Sequence, residues 1–491
     1  LRYCVPADRR YFDEEYTNAP RRRRDAVPAE GRVHHRLLSR ILAIPARHGA
    51  DFAIVWSKEE LVSAGIDTKP HLPDTQSAVT FGLTAPASIM RGQLVNCAHY
   101  IIRQTAYDAV RELERAGYTA VSKSGIDEEL LEKSITGLPD GRVLITGTLL
   151  TEAQLDPTPK NVVLPSDSKS APDGDFNTEL IELLKQQGAV TIGVSPAGRI
   201  DKIVEQLRPD FDGQKQFTFK DKAGAFRQPE PVVSETERRL KNTTDYLPDA
   251  RSVVVFALPM AKATVENTIR HDAEAVGPLS FAQYESINTL GRILRRAIAL
   301  CERHGVKANW SFDLIGSAST VANPRGQQPD LFSNRFAAWA SGLARIGKGG
   351  FPVNPEYGTR LRYASLIINR ELPADKPLDN WRTELCDNCE RCIESCSVSA
   401  FLGEINFEHD GVSDSFRLIE PARCDWAKRF SLIAEEGTAY TGWSLNVPAP
   451  EKITGENLAD ALSQHPAIEK LRPCNFDACI LACPYTRSQE E

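Results

Sequence analysis

Eight cysteines in its last quarter dictate how that part of the 491-residue chain can fold. Cys386, Cys389, Cys392 and Cys396 follow a C-x2-C-x2-C-x3-C spacing; Cys424, Cys474, Cys479 and Cys483 come after them, the last directly before Pro484. Soft thiolates at such short intervals wrap three ligands around one iron-sulfur cubane and send the fourth to a second. Two 4Fe-4S clusters are therefore predicted. Reciprocal exchange assigns Cys386, Cys389, Cys392 and Cys483 to one cluster, and Cys396, Cys424, Cys474 and Cys479 to the other. Zinc is the weaker alternative, because structural zinc sites pair C-x2-C units across a longer gap and would leave a thiol over. Disulfides are disfavoured in a chain with no visible signal peptide. The pattern departs from the bacterial one in two ways. Ser397 stands where proline is usual, and the second set is stretched, with forty-nine residues between Cys424 and Cys474 and four between Cys474 and Cys479. Cys4, Cys97 and Cys301 lie outside this region and read as ordinary buried or free thiols.

The rest of the composition is that of a soluble globular chain, 41% hydrophobic and 25% charged, long enough for two to four domains. No apolar run is long enough for a membrane span. The arginines Arg21 to Arg24 are followed by Asp25 and a polar stretch rather than an apolar segment, so a basic turn is expected instead of an export signal, and a cytoplasmic location with it. The net charge of −7 argues against a general nucleic-acid binder.

Upstream of the cysteines the chain repeats itself. Arg36 to Trp56 (RLLSRILAIPARHGADFAIVW) parallels Thr178 to Ser195 (TELIELLKQQGAVTIGVS), each an amphipathic helix, a glycine and an apolar strand. Ser77 to Leu83 (SAVTFGL) parallels Ser252 to Leu258 (SVVVFAL), and Tyr107 to Val121 parallels Leu290 to Asn309, a helix closed by glycine before an extended segment. Two copies of one unit follow, each with helices layered on a sheet. After its second helix the later copy carries Ala344 to Tyr363 (ARIGKGGFPVNPEYGTRLRY), whereas the earlier one passes through Leu138 to Gly141 straight into the apolar strand Val143 to Leu150. In that loop Gly347, Gly349 and Gly350 permit close approach to a flat ligand, and Lys348 sets a cation beside it. A glycine-rich stretch on its own more often marks a turn. Polar, proline-bearing stretches at 157–174 and 372–377 read as linkers.

The arrangement resembles the cobalamin-dependent reductive dehalogenases of the cytoplasmic, catabolic type, and their relative epoxyqueuosine reductase. The resemblance runs from about Thr178 to Pro484; its most specific pieces are Gly342 to Lys348 (GLARIGK), Asn354 to Gly358 (NPEYG) and the cysteine set. It implies an α/β (α+β) fold in three parts: a degenerate N-terminal repeat over 1–165, a nitroreductase-like cobalamin-binding domain over 175–380, and a ferredoxin-like module with two 4Fe-4S clusters over 381–491. It also implies a corrinoid, held near Gly347, Gly349, Gly350, Tyr357 and Gly358 without a D-x-H-x-x-G histidine motif, which the sequence lacks.

By the same resemblance Tyr284, in Ser280 to Ile287, supplies the proton for the dehalogenated carbon. The apolar positions Ile287, Leu290, Leu294, Ile298 and Cys301 repeat at helical spacing and place Tyr284 at the helix entrance. The blander reading is a boundary tyrosine packing its ring. A cation would lower its phenol pKa, and Lys348 is the expected partner, with Arg345 and the insert residue Arg417 expected to face substrate. Such cations suit an anionic organohalide such as an ortho-halogenated phenol or hydroxybenzoate. No G-x-G-x-x-G fingerprint opens a strand-to-helix unit, so electrons are expected from an external ferredoxin, flavodoxin or reductase. Two rivals stand beside this reading. One is an epoxyqueuosine reductase acting on tRNA, which would use an aspartate near Gln283-Tyr284 and for which seven residues after Pro484 leave no room for an RNA-binding extension. The other is a non-catalytic electron carrier or corrinoid activator.

Overall fold

The computed structural model describes residues 32–86, 93–123, 142–160, 175–220, 232–237, 240–270, 272–311, 334–379, 386, 388–432, 445–464 and 478–486. It is a mixed α/β chain of two compact units, Leu1–Ser166 and Asp167–Glu491, and the cysteine-rich segment belongs to the second.

In the first unit α1 (Arg32–His48) leads to β1 (Phe52–Ser57), β2 (Ser77–Pro86), α2 (Gln93–Arg115), β3 (Ala120–Lys123) and β4 (Arg142–Thr151). The four strands form one sheet in the order β1-β2-β4-β3, every pair antiparallel. In the second unit α3 (Phe176–Gln186) leads to β5 (Thr191–Pro196), α4 (Ala197–Phe211), β6 (Ser252–Pro259), α5 (Asp272–Arg303), β7 (Ala308–Ser311), α6 (Asn334–Ala340) and β8 (Leu361–Ile368). This sheet has the order β5-β6-β8-β7, again wholly antiparallel. The two orders are the same permutation of the same succession, as a duplicated unit requires. Even a helix-to-helix contact recurs with its partners exchanged: His48 bonds Asp108 at 2.8 Å between α1 and α2, and His304 bonds Glu179 at 3.1 Å between α5 and α3.

Burial explains the run of β-branched residues in β6. Ser252 to Leu258 and all of β8 are buried, so both faces of these central strands are covered and neither sequence alternates. On α5 the periodic positions Leu290, Leu294, Ile298 and Cys301 are buried as their spacing demands, and burial pushes the Cys301 thiol up to about 12. The helix begins at Asp272, however, so Tyr284 stands about three turns inside it rather than at its entrance. Gly277-Pro278, residues that ordinarily break a helix, interrupt the stretch before Ile287 in the sequence.

The other face of the sheet packs on α4 and α6. Ile203, Leu207 and Phe211 of α4 join Phe336 and Trp339 of α6, and Phe407 and Phe416 reach the same core from a β-hairpin made of β9 (Phe401–His409) and β10 (Val412–Ile419). The rings meet edge to face, Trp339 and Phe407 at 4.9 Å, Phe336 and Phe407 at 5.6 Å. Each buried Phe is worth about 1.5–3 kcal/mol of apolar transfer, so the hairpin inserted between Cys396 and Cys424 is fastened to the main core. Among the described residues no helix is long and apolar enough to cross a membrane.

The turn leaving α6 is wedged against β5: a Cβ on Gly193 would lie 2.4 Å from the Ser341 carbonyl oxygen and 3.0 Å from Leu343. Gly193→Ala should therefore cost about 1–3 kcal/mol, read as a lower urea midpoint at unchanged slope; an unchanged midpoint would contradict this packing.

Candidate metal centre

The loop that follows α6 is held atom by atom. Arg345 and Ile346 pair with Val353 and Pro352, and Gly350 turns the chain back at φ +75° with its N–H on the Gly347 carbonyl at 2.8 Å. Gly347 N–H donates to the Phe351 carbonyl at 2.9 Å. The Gly350 carbonyl accepts from Nη1 of buried Arg335 at 2.7 Å, whose guanidinium lies over the Phe211, Phe336 and Phe416 rings. The remaining polar groups of the turn point at sulfur and at the hairpin. Lys348 N–H lies 3.4 Å from Cys386 Sγ, and the Lys348 carbonyl accepts from Arg417 N–H at 2.8 Å.

Cys386, Cys389, Cys392 and Cys483 line a single pocket together with Gly347, Lys348, Gly349 and Phe351. This is the first cluster set expected from spacing, brought together from two stretches far apart in the chain. The short helix Arg391–Glu394 carries Cys392, and Ala478–Leu481 delivers Cys483 beyond its end. Among the described residues no three His, Cys, Asp or Glu side chains converge on a point that could hold one metal ion. Four thiols lining one pocket are the ligand number a 4Fe-4S cluster needs. The glycines fit the same group. A Cβ on Gly349 would meet Cys392 Sγ at 2.9 Å, and one on Gly347 would stand 3.7 Å from Cys386 Sγ. Without metal, burial pushes the Cys392 thiol up to about 11 and the Cys483 thiol up to about 12, with their neighbouring thiols adding to both.

Of the second set, Cys396 and Cys424 pack against one apolar cluster containing Phe217, Trp426 and Ala427, and Cys396 Sγ lies 3.3 Å from Ala400 N–H. Cys479 packs instead beside Phe351, Cys392 and Ile480, and Cys474 lies outside the described residues. The structure thus brings two of these four together.

The tail bearing Cys483 is docked by a second glycine. Gly358, at φ +58°, lies so close to Tyr485 that a Cβ would sit 1.6 Å from the Tyr485 carbonyl oxygen, and Thr359 and Thr486 share a hydroxyl bond at 2.5 Å. Asn354 builds the turn, its Oδ1 accepting from Glu356 and Tyr357 N–H at 2.9 Å each.

Several expectations require correction. Arg345 does not face a ligand. It is 2% exposed, and its guanidinium donates to Asp414 through Nε and Nη2 at 2.9 Å each, to the Ser413 carbonyl at 2.6 Å and to the Leu378 carbonyl at 3.1 Å. The glycines expected to approach a flat ring approach other groups: Gly347 and Gly349 the thiols, Gly350 the Arg335 guanidinium, Gly358 the Tyr485 carbonyl. Tyr357 is partly buried against the main core. In the described structure these five residues therefore serve the thiol pocket, the Arg335 contact, the main core and the tail contact. Lys348 Nζ lies 3.2 Å from Glu390 at the rim of the thiol pocket. Arg417 Nη1 reaches the Leu402 carbonyl of its own hairpin at 3.4 Å. The Tyr284 side chain is outside the described ones, so the structure shows no pairing of it with Lys348.

Asp414 was not foreseen. Its Oδ2 accepts from Trp339 Nε1 at 2.7 Å and from Ile346 N–H at 2.9 Å, in addition to its fork with Arg345. The available signal was a carboxylate two residues before the inward-facing Phe416 on a strand, where an apolar residue is the rule.

No protein-family model matches the chain. Curated relatives are of two kinds. Epoxyqueuosine reductase of Synechococcus sp. (strain RCC307) is 38% identical over 65 residues, 13% of this chain and 19% of its own length, and that of Bacillus subtilis is 23% identical over 233 residues, 46% and 52%. Tetrachloroethene reductive dehalogenase of Sulfurospirillum multivorans is 33% identical over 60 residues, 12% of each chain. The chain thus spans about half the length of these relatives or less. Among solved structures, a reductive dehalogenase whose title concerns B12-dependent dehalogenation covers 90% of this chain and 76% of its own at 13% identity and TM-score 0.31. Epoxyqueuosine reductase with an epoxyqueuosine-modified tRNA-Tyr stem loop covers 46% and 52% at 17% identity and TM-score 0.26. The chain is therefore related to two kinds of reductase. The exclusion of nucleic acid on net charge is overturned, since a relative is crystallised with tRNA. Whole-chain charge averages over local patches.

Gly358→Ala should dislodge the tail and with it both Cys483 and Cys479, lowering the cluster iron held per chain at both sets. Retention of full iron would contradict this docking. Iron loading of the pocket should also weaken as pH falls and release protons, as titration calorimetry in buffers of different ionisation enthalpy would show.

Proposed function

We propose that the protein is a reductase that passes single electrons through two 4Fe-4S clusters to a corrinoid, and that its reaction is reductive dehalogenation of an ortho-halogenated phenol or hydroxybenzoate. The observation carrying this reading is the gathering of Cys386, Cys389, Cys392 and Cys483 in one pocket against the Gly347–Gly350 turn. Relatives among the reductive dehalogenases support it. So does the duplicated sheet of the first unit, the degenerate repeat that the resemblance implies.

Two electrons and one proton convert the carbon–halogen bond into a carbon–hydrogen bond and free halide. A corrinoid, when bound, supplies the metal that takes the halogen. This chain supplies the relay and the proton. Tyr284 on α5 is the proposed donor to the aryl carbon. Lys348 and Arg417 are the proposed cations for a phenolate or carboxylate.

A second reading is favoured by the longest of the sequence alignments quoted above, that with the Bacillus subtilis epoxyqueuosine reductase: reduction of epoxyqueuosine in tRNA. One assay separates the two. Anaerobic protein loaded with iron, sulfide and cobalamin and given a low-potential reductant should release bromide from 2-bromophenol and leave epoxyqueuosine-bearing tRNA unchanged. The reverse outcome establishes the second reading. Tyr284→Phe should keep cluster absorption and corrinoid binding while turnover drops by about 10²–10⁴; a variant as active as the parent removes Tyr284 from the chemistry.

A further inference from the structure

The hairpin β9–β10 grips the glycine-lysine turn at two points. Asp414, buried with its carboxylate shared among Trp339, Arg345 and Ile346, fixes the turn's entry. Arg417 N–H holds the Lys348 carbonyl from the same strand. Between these anchors lies the peptide joining Gly347 and Lys348. Its oxygen accepts from Gly350 N–H at 2.8 Å and its N–H points at Cys386 Sγ at 3.4 Å. Donation into the carbonyl of a peptide strengthens the same peptide as a donor. Hydrogen bonds to cluster sulfur stabilise the more negative, reduced state and so raise the reduction potential.

Resting on the reading that Cys386, Cys389, Cys392 and Cys483 hold a 4Fe-4S cluster, we infer that the hairpin sets the reduction potential of that cluster, with Asp414 as the positioning residue that aims Lys348 N–H at the Cys386 sulfur. The hairpin makes no ligand to the cluster in this account. It acts by denying the turn any other conformation: the Gly347 N–H, the Lys348 carbonyl and the Gly350 carbonyl are each bonded, to Phe351, Arg417 and Arg335. A chain with the same cysteines and a slack turn would carry the same cluster at a lower potential. The two clusters would then be poised differently by an element that lies between their cysteines in sequence.

The test uses the full chain, anaerobically loaded with iron and sulfide and labelled with α-¹⁵N-lysine. Potentiometric EPR titration of the parent should show two clusters, and pulsed EPR of the one ligated by Cys386 should show coupling to a lysine amide nitrogen. Asp414→Asn should lower that cluster's midpoint so that the reduced-to-oxidised ratio at a fixed potential falls at least tenfold, about 59 mV for one electron. The second cluster's midpoint should not move, and the lysine coupling should weaken. Should Asp414→Asn fail to fold because Arg345 is left unpaired, the double variant Arg345→Met with Asp414→Asn removes the stranded charge and must show the same shift. Fully loaded variants with unchanged midpoint and unchanged lysine coupling overturn the inference. A parent with no cluster on Cys386 overturns the reading beneath it instead, so the two failures are told apart.

Discussion

Thiols from two distant stretches can share one cluster only if the backbones carrying them come closer than ordinary side chains allow. Gly358 meets that demand. With a hydrogen in place of Cβ it lets the Tyr485 carbonyl lie against the turn before β8, and the Thr359 and Thr486 hydroxyls close the contact. The segment from Ala478 to Thr486 is thereby hung from the loop that enters β8, which delivers Cys483 to the pocket that Cys386, Cys389 and Cys392 line. On the opposite wall Gly349 brings main chain against the Phe351 ring and the Cys392 sulfur, where a Cβ would lie 2.5 and 2.9 Å away, and Gly347 stands in ordinary contact with Cys386. The site is a meeting of backbones, and each glycine in it is explained by what it approaches.

What keeps that wall in place is the hairpin. Phe407 and Phe416 enter the core between α4 and α6, and the Arg345–Asp414 pair is buried beside them at 3% and 0% side-chain exposure. Removing one member of such a pair costs about 3–5 kcal/mol, because the other is left charged in an apolar setting. The same carboxylate caps Ile346 N–H and Trp339 Nε1, so a single group ties helix, turn and hairpin together.

Much of this was legible in the residues themselves. The reciprocal exchange of the two-cluster pattern named the four thiols that line one pocket, and of the second four only Cys396 and Cys424 lie on one apolar cluster. Apolar periodicity foretold the duplicate, and the two sheets share one strand order. Long-range pairing was not legible. Arg345 looked like a loop cation available to substrate, since nothing local shows that Asp414, sixty-nine residues later, folds back onto it. Gly358 read as a residue near a cofactor because a glycine announces a close approach without naming its partner. The start of α5 was misplaced because Gly277-Pro278 interrupts its first turns with residues that ordinarily break a helix, and net charge is a poor guide to nucleic-acid contact because it carries no information on where charges lie.

The duplicated sheet, the thiol pocket and the clamped turn are the parts on which the proposed electron relay rests. Its central claim is that a cubane cluster sits among Cys386, Cys389, Cys392 and Cys483. Mössbauer spectroscopy of anaerobically reconstituted ⁵⁷Fe protein tests this most directly. The account predicts the paired, mixed-valence doublets of a 4Fe-4S cluster, and in a Cys386→Ser variant a loss or alteration of one cluster's share with the other intact. Iron found only as isolated tetrahedral sites, or a spectrum indifferent to Cys386, would contradict it.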